Sequence, residues 1–178
     1  MTGLMAKMHN NIQIFYNNGI EIAKWYYNSD GTIKKEGSKL NGVVKMFYDN
    51  NNVQSEISYK NSELNGPYKL YYESGKLMEE GEFKNNELNG LYIQYYESGK
   101  VKLEGIYKKG KRHGIFRLYG EIGNLIEEEM YKNGKLDGVF KSFFDSGEIE
   151  IEAEYKNGKL KILKQYDKTG KIIKNEKI

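Results

Sequence analysis

The chain has 178 residues, a formal net charge of +3, 20 Gly, 16 Tyr, one Pro, two His and no Cys. Without Cys, the chain excludes disulfide frameworks, iron–sulfur clusters, thiolate zinc sites and cysteine nucleophiles, and two His argue against a His-rich metal centre. Hydrophobic residues make up only 38% of the chain, but the aromatic content of 13% is too high for a disordered chain.

The N-terminal stretch, residues 1–17, precedes the regular pattern of the chain. We predict that it is a separate segment or a capping strand. Its first ten residues lack the apolar core of a signal peptide. No apolar run in the chain is long enough for a transmembrane helix. We therefore expect a cytoplasmic protein, or a secreted or cell-surface protein if a signal peptide has been removed.

Glycine recurs at a fixed spacing through the centre of the chain. Five glycines are each 24 residues apart: Gly42, Gly66, Gly90, Gly114 and Gly138. Repetition at such a period is typical of stacked repeat architectures, in which the terminal units are imperfect. Residues 18–161 are therefore predicted to form an array of one imperfect and five regular units. Residues 162–178 are predicted to be a degenerate C-terminal capping hairpin.

Each unit contains two short runs that are rich in Tyr, Phe, Val and Ile, which favour strands. The first run ends in an aromatic pair such as Tyr71-Tyr72 and is followed by a turn such as Ser74-Gly75. The second run ends at a turn such as Asn133-Gly134, where both residues tolerate positive φ. The pattern predicts an all-β fold, an elongated single-layer antiparallel β-meander of stacked 24-residue hairpin repeats, without a central core.

Aromatic residues recur in columns on both faces of the predicted sheet. One column includes Tyr92 and Phe116, and a column on the other face includes Tyr71, Tyr95 and Tyr119. We interpret both as packing within the sheet, and the alternative is a stacking platform for bases, sugars or peptide. In most units a small residue, such as Gly105, precedes the ring of the second run by two positions. It leaves room for a neighbouring ring.

Glutamates also recur every 24 residues, at Glu56, Glu80, Glu104, Glu128 and Glu152. Such a row is spaced too widely for paired-carboxylate catalysis. We interpret each Glu as a hydrogen-bond acceptor or as the partner of a neighbouring Lys. No nucleophile, cofactor-binding loop or metal-ligand set is recognisable. We therefore expect no enzyme activity, no catalytic residues, no cofactor, no metal and no small-molecule substrate.

One basic loop, residues 108–112, departs from the charge pattern of the other units. It contains Lys108, Lys109, Lys111 and Arg112 and is followed by His113. A cationic loop can bind an acidic partner surface, a phosphate or a lipid head group, and the alternative is a solvated turn. The stretch is too short, and the net charge too balanced, to predict a nucleic-acid groove.

The repeated motif resembles the MORN repeat, specifically its bacterial variant. The motif is carried by Asn65-Gly66, Tyr71-Tyr72, Gly75-Lys76, Glu80-Gly81 and Phe83-Lys84, and the resemblance spans about residues 18–173. It implies a single-layer sheet of stacked hairpins and a scaffold that mediates protein contacts or dimerises. Lipid binding has been proposed for some members of the family, and bacterial variants are often labelled antitoxins.

Two functions follow from the residues and the resemblance. The first is a non-catalytic protein–protein interaction scaffold, in its finer form an antitoxin or immunity-like binding partner. Its candidate contact residues are Trp25, Tyr71, Tyr95, Tyr119, Lys108, Lys109, Lys111, Arg112 and His113. The alternative is a membrane or anionic-lipid binding module that uses the basic loop 108–112. Self-association through open sheet ends or faces is also expected.

Overall fold

The computed structural model describes residues 3–178 of the chain. Within these residues the regular secondary structure consists of β-strands, nearly all paired antiparallel as successive hairpins. The predicted all-β fold of stacked antiparallel hairpins is therefore confirmed. The strands fall into two compact units, Met1–Glu87 (unit 1) and Leu88–Ile178 (unit 2), which are described separately below.

Unit 1 contains the strands β1 (Leu4–His9), β2 (Ile12–Asn17), β3 (Ile20–Tyr27), β4 (Ile33–Gly37), β5 (Gly42–Phe47), β6 (Val53–Lys60), β7 (Glu63–Tyr71) and β8 (Leu77–Lys84). Their order in the sheet is β8-β7-β6-β5-β1-β2-β3-β4. The strands from β5 to β8 form a meander, whereas β1 pairs with β5 in parallel. The N-terminal segment predicted for residues 1–17 thus supplies two internal strands. Its residues 1 and 2 lie outside the described part of the chain.

Unit 2 contains the strands β9 (Glu87–Tyr95), β10 (Val101–Lys108), β11 (Lys111–Tyr119), β12 (Leu125–Lys132), β13 (Lys135–Phe143), β14 (Ile149–Lys156), β15 (Lys159–Tyr166) and β16 (Ile172–Lys177). Within unit 2, consecutive strands pair antiparallel from β9 to β16. The hairpin predicted for residues 162–178 corresponds to β16 and most of β15.

The turns have the conformations that their residues predict. Asn133 and Gly134 both have positive φ, 53° and 82°, in the two-residue turn between Lys132 and Lys135, which lie opposite each other. This is the geometry of a type I′ hairpin turn. In the longer turns a Gly such as Gly75 takes the left-handed conformation, with a φ of 83°.

Four of the five glycines that set the 24-residue period lie inside strands, and Gly42 begins one. Gly138 is within β13, has a φ of 131°, and lies where the register between β12 and β13 shifts. A β-carbon on Gly138 would be 2.7 Å from Cγ of Met130. Both the left-handed φ and the close approach require glycine there.

Unit 1 contains a hydrophobic core, which differs from the expectation of a sheet without one. The rings of Trp25 and Tyr59 are 5.5 Å apart, and both contact Phe15, which has no exposed surface. Trp25 is in β3 and Tyr59 in β6, and four strand spacings would separate these strands by about 19 Å in a flat sheet. The sheet of unit 1 therefore curls over until its N-terminal strands pack against β6.

The connection from β4 to β5 closes this core. Leu40 is fully buried. The Leu40 amide donates to the Ser62 hydroxyl at 2.9 Å, and the Ser62 amide donates to the Leu40 carbonyl at 2.9 Å. These bonds fasten the connection to the turn between β6 and β7.

Candidate binding surfaces

One face of unit 2 carries a row of aromatic rings, the ring face. Tyr107 contacts Tyr92 and Phe116 at centroid distances of 5.1 and 5.5 Å, and Phe116 contacts Tyr131 at 5.5 Å. Phe116 is only 1% exposed. Edge-to-face pairs of this kind contribute about 0.5–1.5 kcal/mol each beyond the burial of their area. The prediction that this column packs the sheet is confirmed.

Within each unit, the glutamates of the 24-residue column lie on the face opposite the rings, where cations from neighbouring strands pair with them. In unit 1, Nζ of Lys45 is 2.5 Å from Glu56, and the Tyr71 hydroxyl donates to Glu56 at 3.1 Å. Lys45 lowers the pKa of the Glu56 carboxyl, and burial, with the bond to Glu56, raises the pKa of Tyr71 to about 12. The predicted pairing of this glutamate with a neighbouring Lys is confirmed.

The same arrangement recurs in unit 2 around Arg117. Its Nε is 2.9 Å from Glu128 and its guanidinium is 3.7 Å from Glu104, which also accepts a bond of 2.8 Å from the Tyr119 hydroxyl. The sequence interpretation missed this column of cations. Its signal was a cation at this position in four of the five repeats, at Lys45, Lys69, Arg117 and Lys141, with Ile93 in the remaining repeat.

Five exposed aliphatic side chains lie on this glutamate-bearing face of unit 2 and form what we call the aliphatic stripe. Their exposed fractions are 59% for Leu91, 49% for Ile106, 42% for Ile115, 39% for Met130 and 47% for Val139. They face away from the rings because each directly precedes or follows a ring residue in a strand, and side chains alternate between faces. Leu91 lies opposite Ile106, and Ile115 opposite Met130.

Five stretches of the chain match the MORN repeat variant: residues 40–61, 64–85, 88–109, 112–133 and 136–157. Each spans two paired strands joined by one of the longer turns. The chain belongs to the MORN repeat variant family. MORN repeats are in general modules that bind proteins or membranes.

Among solved structures, the chain is similar to virginiamycin B lyase from Staphylococcus aureus, at 11% identity, with 99% of this chain and 70% of that chain covered. The TM-score of 0.22 is too low to support any argument from that enzyme. No curated protein matches the chain.

The aromatic residues predicted to contact a partner differ in how deeply they are buried. Trp25 lies before the first matched MORN repeat, and only 6% of it is exposed in the core of unit 1, with Nζ of Lys35 over its ring at 4.1 Å. Tyr71, Tyr95 and Tyr119 are half-buried. The hydroxyls of Tyr71 and Tyr119 are bonded to glutamates, as described above. Binding of a partner by these residues stays a prediction.

The lysines of the basic loop are exposed at one end of a MORN hairpin. Lys108 and Lys111 lie opposite each other as the last residue of β10 and the first of β11. Lys109 is in the turn, with a φ of 51°, and its amide donates to Asn89 at 3.4 Å. All three side chains are therefore available to a ligand.

Arg112 differs from these lysines, because the structure places it against the ring face. Its guanidinium carbon lies 4.7 Å from the centroid of Phe116 and 5.3 Å from that of Tyr131. It donates to the Tyr131 hydroxyl at 3.1 Å and contacts Glu129 at 3.4 Å. Strand alternation thus turns Arg112 to the face opposite the loop lysines, and its charge is engaged there. Binding of a partner by Arg112 stays a prediction.

His113 occupies a position at which, in other repeats, a side-chain oxygen accepts a hydrogen bond from a backbone amide of the next two-residue turn. Asn41 accepts a bond of 2.9 Å from the Asn61 amide, and Asp137 accepts one of 3.1 Å from the Asn157 amide. At His113 the Nδ1 atom is buried without a hydrogen-bond partner. The residue is therefore a weaker cap than its column partners.

A cleft of about 810 Å³ opens in unit 1 where β1 and β5 diverge. The parallel pairing of these strands is limited to Met5 opposite Lys45. Beyond it the walls include Met8, Met46, Tyr48 and Glu73. No local sequence pattern indicates this cleft, because it depends on the parallel pairing of β1.

Residues 3–178 contain no cluster of His, Cys, Asp or Glu side chains suited to hold a metal ion. Among the same residues, no helix could span a membrane.

Proposed function

We propose that this chain is a non-catalytic scaffold for protein–protein interaction, and that the aliphatic stripe of unit 2 is its main contact surface. The observation that carries the proposal is the exposure of the stripe, between 39% and 59% for each of its five side chains. Neighbouring strands bring these side chains together, and a contiguous exposed apolar patch commonly marks an interface.

The glutamate and tyrosine side chains support a binding role in preference to catalysis. Glu56 is engaged by Lys45 and Tyr71, and Glu104 by Arg117 and Tyr119. Groups held in repeated cross-strand pairs stabilise a sheet, whereas a catalytic acid or base is a single group in a concave site. The finer form of the proposal is an antitoxin or immunity-like protein that masks its partner's surface.

Affinity capture with matched variants tests the proposal. In the stripe variant, Leu91, Ile106 and Ile115 are changed to serine. In the control variant, Ile122, Ile172 and Ile173, which are also exposed, are changed to serine. We expect the wild-type chain and the control to capture the same partner protein and the stripe variant to lose it, with unchanged β circular dichroism. Equal capture by both variants would reject the stripe as the contact surface.

The alternative is membrane binding through the basic loop, and the exposure of Lys108, Lys109 and Lys111 favours it. Flotation with vesicles containing phosphatidylserine distinguishes it from the scaffold. Membrane binding predicts flotation that is lost when Lys109 and Lys111 are changed to glutamate, whereas the scaffold predicts no flotation of either protein.

A further inference from the structure

The basic loop is one part of a longer row of lysines along one edge of unit 2. Each of its three two-residue turns is flanked by a lysine on both sides, and the lysines of each pair lie opposite each other. We call this row the lysine edge: Lys108, Lys109, Lys111, Lys132, Lys135, Lys156 and Lys159. All are exposed. Successive turns are separated by two strands, about 10 Å.

These lysine pairs are not required by the MORN hairpin. In unit 1, the turn between β6 and β7 has Lys60 opposite Glu63, an attractive pair at the same positions. Like charges directly opposite each other destabilise a hairpin. Within residues 3–178, only Lys156 of the lysine edge forms an ion pair, with Asp137 at 3.0 Å. Asp137 also attracts Lys132, so this one carboxylate offsets part of the repulsion at two of the three turns. At the turn between Lys108 and Lys111, no ion pair among residues 3–178 offsets it.

The lysine edge borders the aliphatic stripe on the same face. Lys108 follows Ile106 by two residues in β10, and Lys132 follows Met130 by two in β12, so strand alternation points each pair of side chains to one side. A ligand on the stripe thus meets a row of ammonium groups along one border. Glu154 is the exposed carboxylate on this part of the face, opposite Val139.

The other border of the stripe carries both acidic and basic side chains. Glu104 precedes Ile106 by two residues and Glu128 precedes Met130 by two, and Arg117 lies between these glutamates. An anionic bilayer that covered the stripe would also meet these carboxylates, which disfavours it. A protein can instead place acidic side chains on the lysine edge and avoid the glutamates, because its charges are arranged individually.

We infer that the stripe and the lysine edge together bind an acidic segment of a partner protein, with apolar side chains on the stripe and carboxylates along the lysines. The inference rests on the proposed scaffold function and specifies the charge of the partner. The lysines then contribute chiefly to the rate of association and to the choice of partner, and the stripe to the buried contact.

A labelled peptide of five Glu-Leu-Glu-Ser repeats tests this inference by fluorescence anisotropy. The edge variant has Lys132, Lys135 and Lys159 changed to glutamate. The control variant has Lys102, Lys168 and Lys171 changed to glutamate, and these are exposed lysines towards the other end of the strands. We expect the peptide to bind the wild-type chain and the control, and to bind the edge variant at least about tenfold more weakly, with affinity that falls as salt rises.

Three results would overturn the inference: no binding of the peptide to the wild-type chain, equal binding to both variants, or binding of phosphatidylserine vesicles or duplex DNA in place of the peptide. Affinity capture with the stripe and edge variants distinguishes failure of the acidic-partner inference from failure of the proposed scaffold function. If the stripe variant loses the partner but the edge variant retains it at every salt concentration, the scaffold stands and the acidic-partner inference is wrong.

Discussion

The ring of Phe116 lies directly on the backbone of Gly105, so closely that a β-carbon on Gly105 would be 2.5 Å from Cδ1 of the ring. Gly105 is buried in β10, and Phe116 is in β11. The contact joins two consecutive MORN repeats, because it connects the second strand of one to the first strand of the next. The packing between these repeats thus requires a residue without a side chain at position 105.

Replacement of Gly105 by alanine should therefore destabilise the chain by about 1–3 kcal/mol, since the ring has to move to admit a methyl group. Urea unfolding followed by circular dichroism measures the loss. The double variant Gly105→Ala, Phe116→Leu should cost less than the sum of the two single changes, because leucine leaves more space for the methyl group. A single variant as stable as the wild type would contradict the packing described for these residues.

Arg112 should contribute to stability, in contrast to the lysines of the same loop. We expect Arg112→Ala to reduce the free energy of unfolding by about 1–2 kcal/mol, because it removes the contacts with Phe116, Tyr131 and Glu129. Lys109→Ala should change it by less than about 0.5 kcal/mol. Equal effects of the two changes in urea unfolding would show that Arg112 is not held on the ring face.

His113→Asn should stabilise the chain. Asparagine would supply a side-chain oxygen that can accept a hydrogen bond from the next turn, as Asn41 does in its own repeat. The change would also remove the buried nitrogen that lacks a partner. A gain of about 0.5–1.5 kcal/mol in the free energy of unfolding is expected. His113→Ala is the control, which removes the buried nitrogen without adding a cap. A gain for alanine equal to that for asparagine would show that the cap contributes nothing.

The pair of Lys45 and Glu56 should make the stability of the chain sensitive to acid. Lys45 lowers the pKa of Glu56 below its ordinary value of 4.5 in the folded chain. The carboxylate therefore adds stability above that value, and the contribution disappears as the pH falls through the folded pKa.

Lys45→Met isolates this effect, because every other carboxylate titrates in both proteins. Between about pH 5 and pH 3, the wild type should lose more stability than Lys45→Met when urea midpoints are compared. Parallel pH profiles for the two proteins would contradict the role given to this pair.

The hairpins and the ring packing could be predicted from the sequence because they depend on neighbours within one or two repeats. The turn at Asn133-Gly134 follows from residues that tolerate positive φ. The room for Phe116 follows from the small residue at Gly105. Because these signals recur every 24 residues, each repeat supports the interpretation of the others.

The N-terminal part of unit 1 could not be predicted in the same way. The parallel pairing of β1 with β5 joins distant segments of the chain and leaves no local pattern. The contact of Trp25 with Tyr59 follows only once the sheet curls. The stripe was missed for another reason. At its first-strand position the repeats have Val43, Pro67, Leu91, Ile115 and Val139, which share exposure and apolar character but not residue identity.

Site-specific photocrosslinking is the most direct test of protein binding through the aliphatic stripe. A benzoylphenylalanine at position 115 replaces a side chain of the stripe that is 42% exposed, and one at position 122 replaces a side chain in a longer turn that is 75% exposed. Binding at the stripe predicts a crosslinked partner protein from position 115 and little or none from position 122, although position 122 is more accessible. Equal crosslinking from both positions, or crosslinking from position 122 alone, would contradict it.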